Sequence, residues 1–323
     1  MKTVSKPAFT QLIRDAHLKR GSLQGVCDAY RVVNGSEDGL EGVTLDRFGT
    51  HYQLQFFDRT WFWCETEICA AVRQACSPQF LVVKERLDPS GKSLEKPHMR
   101  VVIGEPAQSA CEVREGAAYF QVDLLDTVNP GLFLDMRENR LAVAPLAQGG
   151  EMLNLFCYTG SFSVHARLAG ATRAVNVDVS GKILDRVRTN YERNGIEVQK
   201  GEFFKGDSTE YLEYCVRKNL QFQTVVLDPP SFSRSERGVF QAKAHLGKLV
   251  SLCAQCTLPG GHILVATNLS EFHPRTLGKP AQEWVNEAGQ SSTVVWARGQ
   301  GADFPGSGKV KESCLSAVLL KLV

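Results

Sequence analysis

Four short stretches carry side chains that could bind a nucleotide and act beside it. The first is LNLFCYTGSFS (153–163), an apolar run, then Tyr158-Thr159-Gly160-Ser161, then residues of helical character. A glycine at such a turn lets backbone approach a ligand, and the helix that follows offers N–H groups with no intrahelical partner. Asn154, Phe156, Tyr158, Thr159, Gly160 and Ser161 are therefore candidate cofactor-binding residues. The second stretch, VDVS, brings Asp178 and Val179, with the acid 18 residues past Gly160. A carboxylate there can accept from both hydroxyls of a ribose, and Ser180 suits the capping of the next helix better than Asp178 does. The third is Asp207-Ser208, where the acid either accepts from an adenine amino group or caps a helix.

The fourth stretch, VVLDPPSFSRS (225–235), speaks most clearly. Asp228 followed by Pro229 and Pro230 makes a rigid turn whose prolines have no N–H to donate. The groups it presents are acceptors, and Phe232 adds an aromatic face. A base lifted from its stack would find acceptors for its polar edge and a ring to lie on. The three-glycine dinucleotide fingerprint is absent, which argues against a nicotinamide-dependent oxidoreductase.

These residues need elements to hold them. From about 136 onward apolar strands alternate with helices. MLNLF (152–156), AVNVD (174–178), EFFKG (202–206), TVVLD (224–228) and HILVAT (262–267) read as strands. Helices are predicted at 135–147, 162–169, 180–194, 208–218, 238–258 and 280–288. Such alternation implies a mostly parallel sheet covered on both faces. STVVWAR and CLSAVLLKLV at the end read as an antiparallel pair at the sheet edge. Every candidate above then sits at the carboxyl end of a strand, where open α/β sheets bind ligands. The first part reads differently. A basic helix, LIRDAHLKRG, precedes three strands (CDAYRVVNG, GVTLDRFG, HYQLQFFD), a helix over 61–76 and a strand FLVVKE. DPSGKSLEKP (88–97) reads as a polar loop, and strands follow near 100–104 and 117–123. The expected domains are thus 1–125, a small mixed α+β domain that could touch RNA, and 126–323, a seven-stranded α/β domain.

Composition sets broad limits. The formal net charge is +2, so the chain as a whole has no strong pull toward polyanions. No apolar run approaches membrane-spanning length, and MKTVSKPAFTQ lacks an apolar signal core, so a cytoplasmic protein is expected. Ten scattered cysteines fit reduced thiols rather than a disulfide scaffold. Cys253 and Cys256 form a C-x-x-C without a second pair or a histidine cluster, so they are expected in a core and not on a metal.

Ligand-type residues at four successive strand ends point to S-adenosylmethionine as cofactor. Here the chain resembles the class I S-adenosylmethionine-dependent methyltransferases of bacterial 23S ribosomal RNA. It is most similar to the cytosine-C5 type I enzymes and the guanine-N7 half of the type K/L enzyme. GLFLDMRENR, LNLFCYTGSFSVHA, VDVS, RNGI and LDPPSFS match blocks of that family in order, from about Tyr30 onward. The resemblance implies a Rossmann-like methyltransferase domain behind a smaller one, with RNA as partner. It implies that the 153–161 turn and Asp178 hold the methionine and ribose parts. Asp207 would sit at the adenine, Asp135 and Arg137 would line the cofactor site, and Asp228 and its prolines would face the base.

Chemistry separates the two branches. Cytosine C5 is a poor nucleophile, and methylating it requires a thiolate to attack C6 first. The cytosine branch carries its cysteines at the end of the fifth strand, where this chain has Thr267 and Leu269. Guanine N7 has an in-plane lone pair and no proton to lose, so positioning suffices. Asn268 and Phe272 of ATNLSEF are similar to the pattern of the N7 branch, and Asn268 joins the catalytic candidates. The expected activity is transfer of a methyl group to guanine N7. Cytosine C5, an exocyclic amine or a noncatalytic RNA-binding role are the alternatives.

Overall fold

The computed structural model describes residues 6–87, 93–230, 232–235, 238–305 and 315–323. The chain divides into two compact units, Met1–Asp135 with Gly301–Glu312, and Met136–Gln300 with Ser313–Val323. Relative to the division at 125/126 read from the sequence, the first unit also takes in 126–135 and the 301–312 excursion.

The first unit contains α1 (Lys6–Lys19), β1 (Ala29–Asn34), β2 (Val43–Phe48), β3 (His51–Phe56), α2 (Glu65–Cys76), β4 (Phe80–Leu87), β5 (Ser93–Ile103), β6 (Ala110–Glu115) and β7 (Ala118–Asp123). The first five strands form one sheet in chain order, and β6–β7 form a separate hairpin. Only β3–β4 is a parallel pair in that sheet, because α2 carries the chain back across it. Phe9, Ile13 and Ala16 recur at helical spacing along α1 and join Ile68 and Val72 of α2 over Tyr30, Leu45, Leu54 and Val83. Alternate residues of the strands point the other way, and there Arg31, Asp46, Gln53, Gln55 and Lys84 are buried.

The second unit contains α3 (Arg137–Val143), β8 (Glu151–Leu155), α4 (Ser161–Leu168), β9 (Arg173–Asp178), α5 (Gly181–Arg193), β10 (Phe203–Lys205), α6 (Ser208–Lys218), β11 (Phe222–Leu227), β12 (Phe232–Ser235), β13 (Gly238–Gln241), α7 (Ala242–Gln255), β14 (Thr257–Thr267), α8 (Pro274–Glu287), β15 (Ser292–Arg298) and β16 (Ser316–Leu322). Its seven-stranded sheet has the order β10-β9-β8-β11-β14-β16-β15. Five strands run parallel from β10 to β14, and β16 runs against both its neighbours. This is the doubly wound α/β sheet expected from the alternation. Leu153, Leu155, Val225, Leu227, Ile263 and Val265 face α6, α7 and α8 on one side. Met152, Ala174, Val226 and Leu264 face α3 and α4 on the other. From β8 the chain winds out to β10, then returns to start again at β11, which makes the β8–β11 seam the switch point.

Three local readings change. The segment 238–241 is a strand paired with 232–235, and the helix starts only at Ala242. Val239-Phe240 favours an extended chain before the alanine- and leucine-rich helix formers begin. Of the polar loop at 88–97, residues from Ser93 onward belong to β5, and 88–92 lie outside the described residues. The last helix starts at Pro274, its first-turn proline, rather than at Pro280, which lies inside it.

Candidate active site

In-register pairing sets a row of residues across the sheet. Leu155 pairs with Val177 of β9 and Leu227 of β11, and Leu227 pairs with Val265 of β14. Asp178 pairs with Lys205 of β10. One residue further along, Asp178, Phe156 and Asp228 therefore leave three neighbouring strands at one level, at the switch point.

The turn after β8 is tightly wound. Phe156 and Tyr158 have φ of 53° and 48°, and Gly160 has φ of 74°. Left-handed backbone is costly for residues with a Cβ, so tertiary bonds must hold it. Asp178 Oδ2 accepts from Tyr158 N at 3.3 Å and its Oδ1 accepts from Ser180 N at 2.9 Å. Ser208 Oγ accepts from Phe156 N at 3.3 Å, and Asn190 Nδ2 donates to Thr159 O at 2.9 Å. Inside the turn, Asn154 Nδ2 donates to Ser163 Oγ at 3.0 Å. The structure thus brings Asn154, Phe156, Tyr158, Thr159, Gly160, Ser161, Asp178 and Ser208 together. Gly160 is required twice over, by its φ and by a Cβ that would sit 3.1 Å from Val187 Cγ2 and closer still to Cγ1. Gly160 is also the N-cap of α4 and has no side chain to cap it, so the first N–H groups of α4 open where a ligand would lie.

Burial raises the Asp178 carboxyl above the ordinary range, opposed by the N–H groups of Ser180 and Tyr158. Val179 beside it is half exposed, an apolar surface at the same strand end. Asp207 caps α6, its Oδ1 accepting from Thr209 N at 2.8 Å and Glu210 N at 3.2 Å. Ser180 caps α5, accepting from Ile183 N at 3.4 Å. An oriented carboxylate, an uncapped helix start and exposed apolar surface fit a nucleoside cofactor with a charged amino-acid tail.

The other candidates are placed less closely. Asp228 is half-buried, Pro229 is buried and Pro230 is exposed. The side chain of Phe232 lies outside the described residues. Asn268 is exposed just past β14, and Thr267 is buried, its hydroxyl accepting from Leu269 N at 3.2 Å. Arg137 is buried at the start of α3 in the second unit, whereas Asp135 is half-buried at the end of the first. Burial and the nearby Asp178 charge push the Cys157 thiol well above its usual range. Cys253 and Cys256 lie in the core.

Two residues of the site escaped the sequence reading. Asn190 holds the Thr159 carbonyl, and the Arg186 guanidinium lies 5.7 Å from the Tyr158 ring centre. Asn190 did leave a signal, a polar residue on the stripe Leu184, Val187, Tyr191 that α5 buries.

The model of the S-adenosylmethionine-dependent methyltransferase family matches residues 21–298. The chain belongs to that family. S-adenosylmethionine is its cofactor, and the protein is a methyltransferase. It is 30% identical to ribosomal RNA large subunit methyltransferase I of Aeromonas hydrophila, over 92% of this chain and 74% of the relative. It is equally similar to the enzyme of the same name from Photobacterium profundum, over 94% of this chain and 75% of the relative. A methyltransferase crystallised with SAH superposes with a TM-score of 0.86 at 23% identity, covering 99% of this chain and 83% of that one. No helix among the described residues is long and apolar enough to cross a membrane.

Proposed function

We propose that this methyltransferase modifies a base of large-subunit (23S) ribosomal RNA, with guanine N7 as the target atom. The observation that carries the reading is the level row at the switch point. There the turn 156–160, locked by Asp178, Ser208 and Asn190, stands one strand from Asp228. The cofactor supplies an electrophilic methyl group on sulfonium. Asn154 and the turn hold its methionine part, Asp178 its ribose, and Asp207 with Ser208 its adenine end. Asp228, Pro229, Pro230 and Phe232 take the target base, and Asn268 closes the site from β14. Two curated relatives named as large-subunit ribosomal RNA methyltransferases support RNA as the substrate. Buried thiols at Cys157, Cys253 and Cys256 accord with a cytoplasmic setting.

The atom follows from what the site lacks and what it offers. Attack on cytosine C6 needs an accessible thiolate. Thr267 and Leu269 occupy the end of β14, and burial keeps the Cys157 thiol protonated. Guanine N7 needs neither a thiolate nor a base, because its lone pair attacks directly. The purine gains positive charge in the transition state, and the Asp228 carboxylate favours that charge.

The test compares ribosomal RNA from cells with and without the gene, digested to nucleosides and resolved by mass spectrometry. Loss of 7-methylguanosine, restored by the wild-type gene but not by Asp228→Asn, is expected. Asp228→Asn lowers kcat by about 100-fold, the scale for removing one electrostatic contact to developing charge. Loss of 5-methylcytidine or of an N-methylated exocyclic amine overturns the choice of atom. No change in any ribosomal nucleoside overturns the substrate.

A further inference from the structure

The connection from β14 to α8 carries Asn268, and it is fastened more firmly than a surface connection requires. Val265 of β14 and Val318 of β16 lie on the side of the sheet that α6, α7 and α8 cover. Thr267 and Ser316 stand two residues further along each strand, paired across the ladder, and so face the same side. Both are buried, and both aim their hydroxyls at this connection. Thr267 Oγ1 accepts from Leu269 N at 3.2 Å. Ser316 Oγ donates to Phe272 O at 2.8 Å. Phe272 N donates to Leu269 O at 3.1 Å, which closes the chain between the two hydroxyls into a turn.

The far foot of the turn is fixed as well. The Phe272 ring packs against the core and stands edge-to-face on Trp284 of α8, with 6.2 Å between centres and 82° between planes. Trp284 is itself held. Its indole lies over Gly247 of α7, where a Cβ would stand 2.8 Å from Nε1, and Ser251 Oγ donates to its carbonyl at 2.7 Å. His273 then caps α8, its Nδ1 accepting from Arg275 N at 3.2 Å. The Phe272 ring is thus committed to the core and offers no face to a base. Connections at strand ends are ordinarily the mobile parts of a sheet, and ordering one costs conformational entropy. Here the ordered span leaves Asn268 and Ser270 exposed. A short polar side chain on a fixed backbone, at the ligand-binding end of the sheet, is set in place for a reaction partner.

We propose that Ser316 and Phe272 are positioning residues for methyl transfer. Through the backbone of the 267–272 turn they hold Asn268 in the place where it meets the target base. The proposal rests on Asn268 taking part in the site as read above, and it assigns the preset geometry of that residue to two side chains that never touch substrate.

The test is a double-mutant cycle on the full chain. Initial rates of tritium transfer from labelled S-adenosylmethionine to total RNA of cells lacking the gene are measured, with calorimetry of cofactor binding beside them. Asn268→Ala is expected to slow transfer about 100-fold and Phe272→Ala about 30-fold, the scale for a lost or misplaced contact. Ser316→Ala, which deletes one hydrogen bond, slows it about 5–10-fold. Phe272→Leu keeps most of the packing and stays within about threefold of wild type. In the Asn268→Ala background, Ser316→Ala and Phe272→Ala each cost less than about twofold, because both act through Asn268. Cofactor affinity stays at the wild-type value throughout. Costs that multiply in full with that of Asn268→Ala overturn the proposal, as does an Asn268→Ala or Ser316→Ala protein as fast as wild type. A fall in cofactor affinity that accounts for the lost rate overturns it too. Nucleoside analysis of the labelled RNA keeps the two readings apart. Tritium in a nucleoside other than 7-methylguanosine overturns the choice of atom, while the cycle still decides the positioning. A wild-type protein that labels no RNA overturns both.

Discussion

Gly160 carries two separable demands, and Gly160→Ala tests both. Its φ of 74° places an alanine in the left-handed region, at a cost of about 1–2 kcal/mol. Its new methyl group would also press on Val187, whose Cγ2 stands 3.1 Å from the ideal Cβ position. Overpacking of that kind costs about 1–3 kcal/mol. The sum, about 2–5 kcal/mol, is a large part of the stability of an ordinary domain. Val187→Ala removes both methyl contacts, leaving only the residue 187 Cβ at 3.2 Å, and leaves the backbone cost. In that background Gly160→Ala should cost only about 1–2 kcal/mol, giving a coupling of about 1–3 kcal/mol. Hydrogen exchange of peptides spanning β8 and α5 measures the local opening free energy in all four proteins of the cycle. Affinity for S-adenosylmethionine should fall in Gly160→Ala and recover in part in the double variant. Equal costs in both backgrounds would refute the packing argument. A cost below about 1 kcal/mol in the wild-type background would refute the backbone argument as well.

Two further outcomes follow from charge and burial. Burial alone pushes the Asp38 carboxyl up, but the Arg20 guanidinium, at 2.7 Å from both oxygens, and the Asn34 N–H outweigh it and hold the carboxyl below 3.8. A folded-state value below the unfolded one means that the stabilisation is complete above the unfolded value. It is lost as pH falls through the folded value. Asp38→Asn should therefore cost about 3–5 kcal/mol near neutral pH, where it strands the buried Arg20 charge. That difference should shrink below about pH 4, and urea unfolding across pH checks it. A difference constant down to pH 2 would sink the ion-pair account. Cys157→Ala should retain methyl transfer within about threefold, because burial keeps that thiol protonated and out of the chemistry. A loss of all turnover with cofactor binding intact would make Cys157 a nucleophile.

What could be read in the sequence was what neighbours along the chain decide. Gly160 and the acids at strand ends stood out because apolar strands and turn residues alternate so regularly. Ser180 was legible as a cap because one helix start decides it. Asp207 was not decidable, since an acid after a strand looks the same whether it caps a helix or meets a ligand as well; the structure shows the cap, made through Oδ1, and the adenine contact belongs to the proposed reading. The rest required partners distant in sequence. Asn190 matters because α5 packs on the turn after β8. The hydrogen bonds that join Arg31 and Gln55 to Asp46 exist only once three strands are set in register. The 301–305 segment joins the first unit because Asp303 Oδ2 accepts from Arg31 N at 2.9 Å and Pro305 O accepts from Asn34 Nδ2 at 2.8 Å. No local pattern announces that the connection between β15 and β16 belongs to the first unit.

Similarity of the whole chain and chemistry of the site answer different questions. Identity of 30% across nine-tenths of the chain shows a shared family. On the proposed reading, the target atom is chosen by side chains at the ends of β11 and β14, Asp228 and Asn268 among them. Asn268 is exposed, and Pro230 beside the half-buried Asp228 is exposed too, so substitution there costs the fold little. Thr267 differs, because its buried hydroxyl accepts from Leu269 N and closes the end of β14. Thr267→Cys would exchange that hydroxyl for a weak acceptor, and gaining a thiol there should not by itself confer C5 chemistry. The sulfur would replace the hydroxyl at a site 1% exposed, where burial disfavours the thiolate that C6 attack requires. On the guanine-N7 reading, a chain of this family carries at its strand ends residues suited to a nucleophile that needs no thiolate.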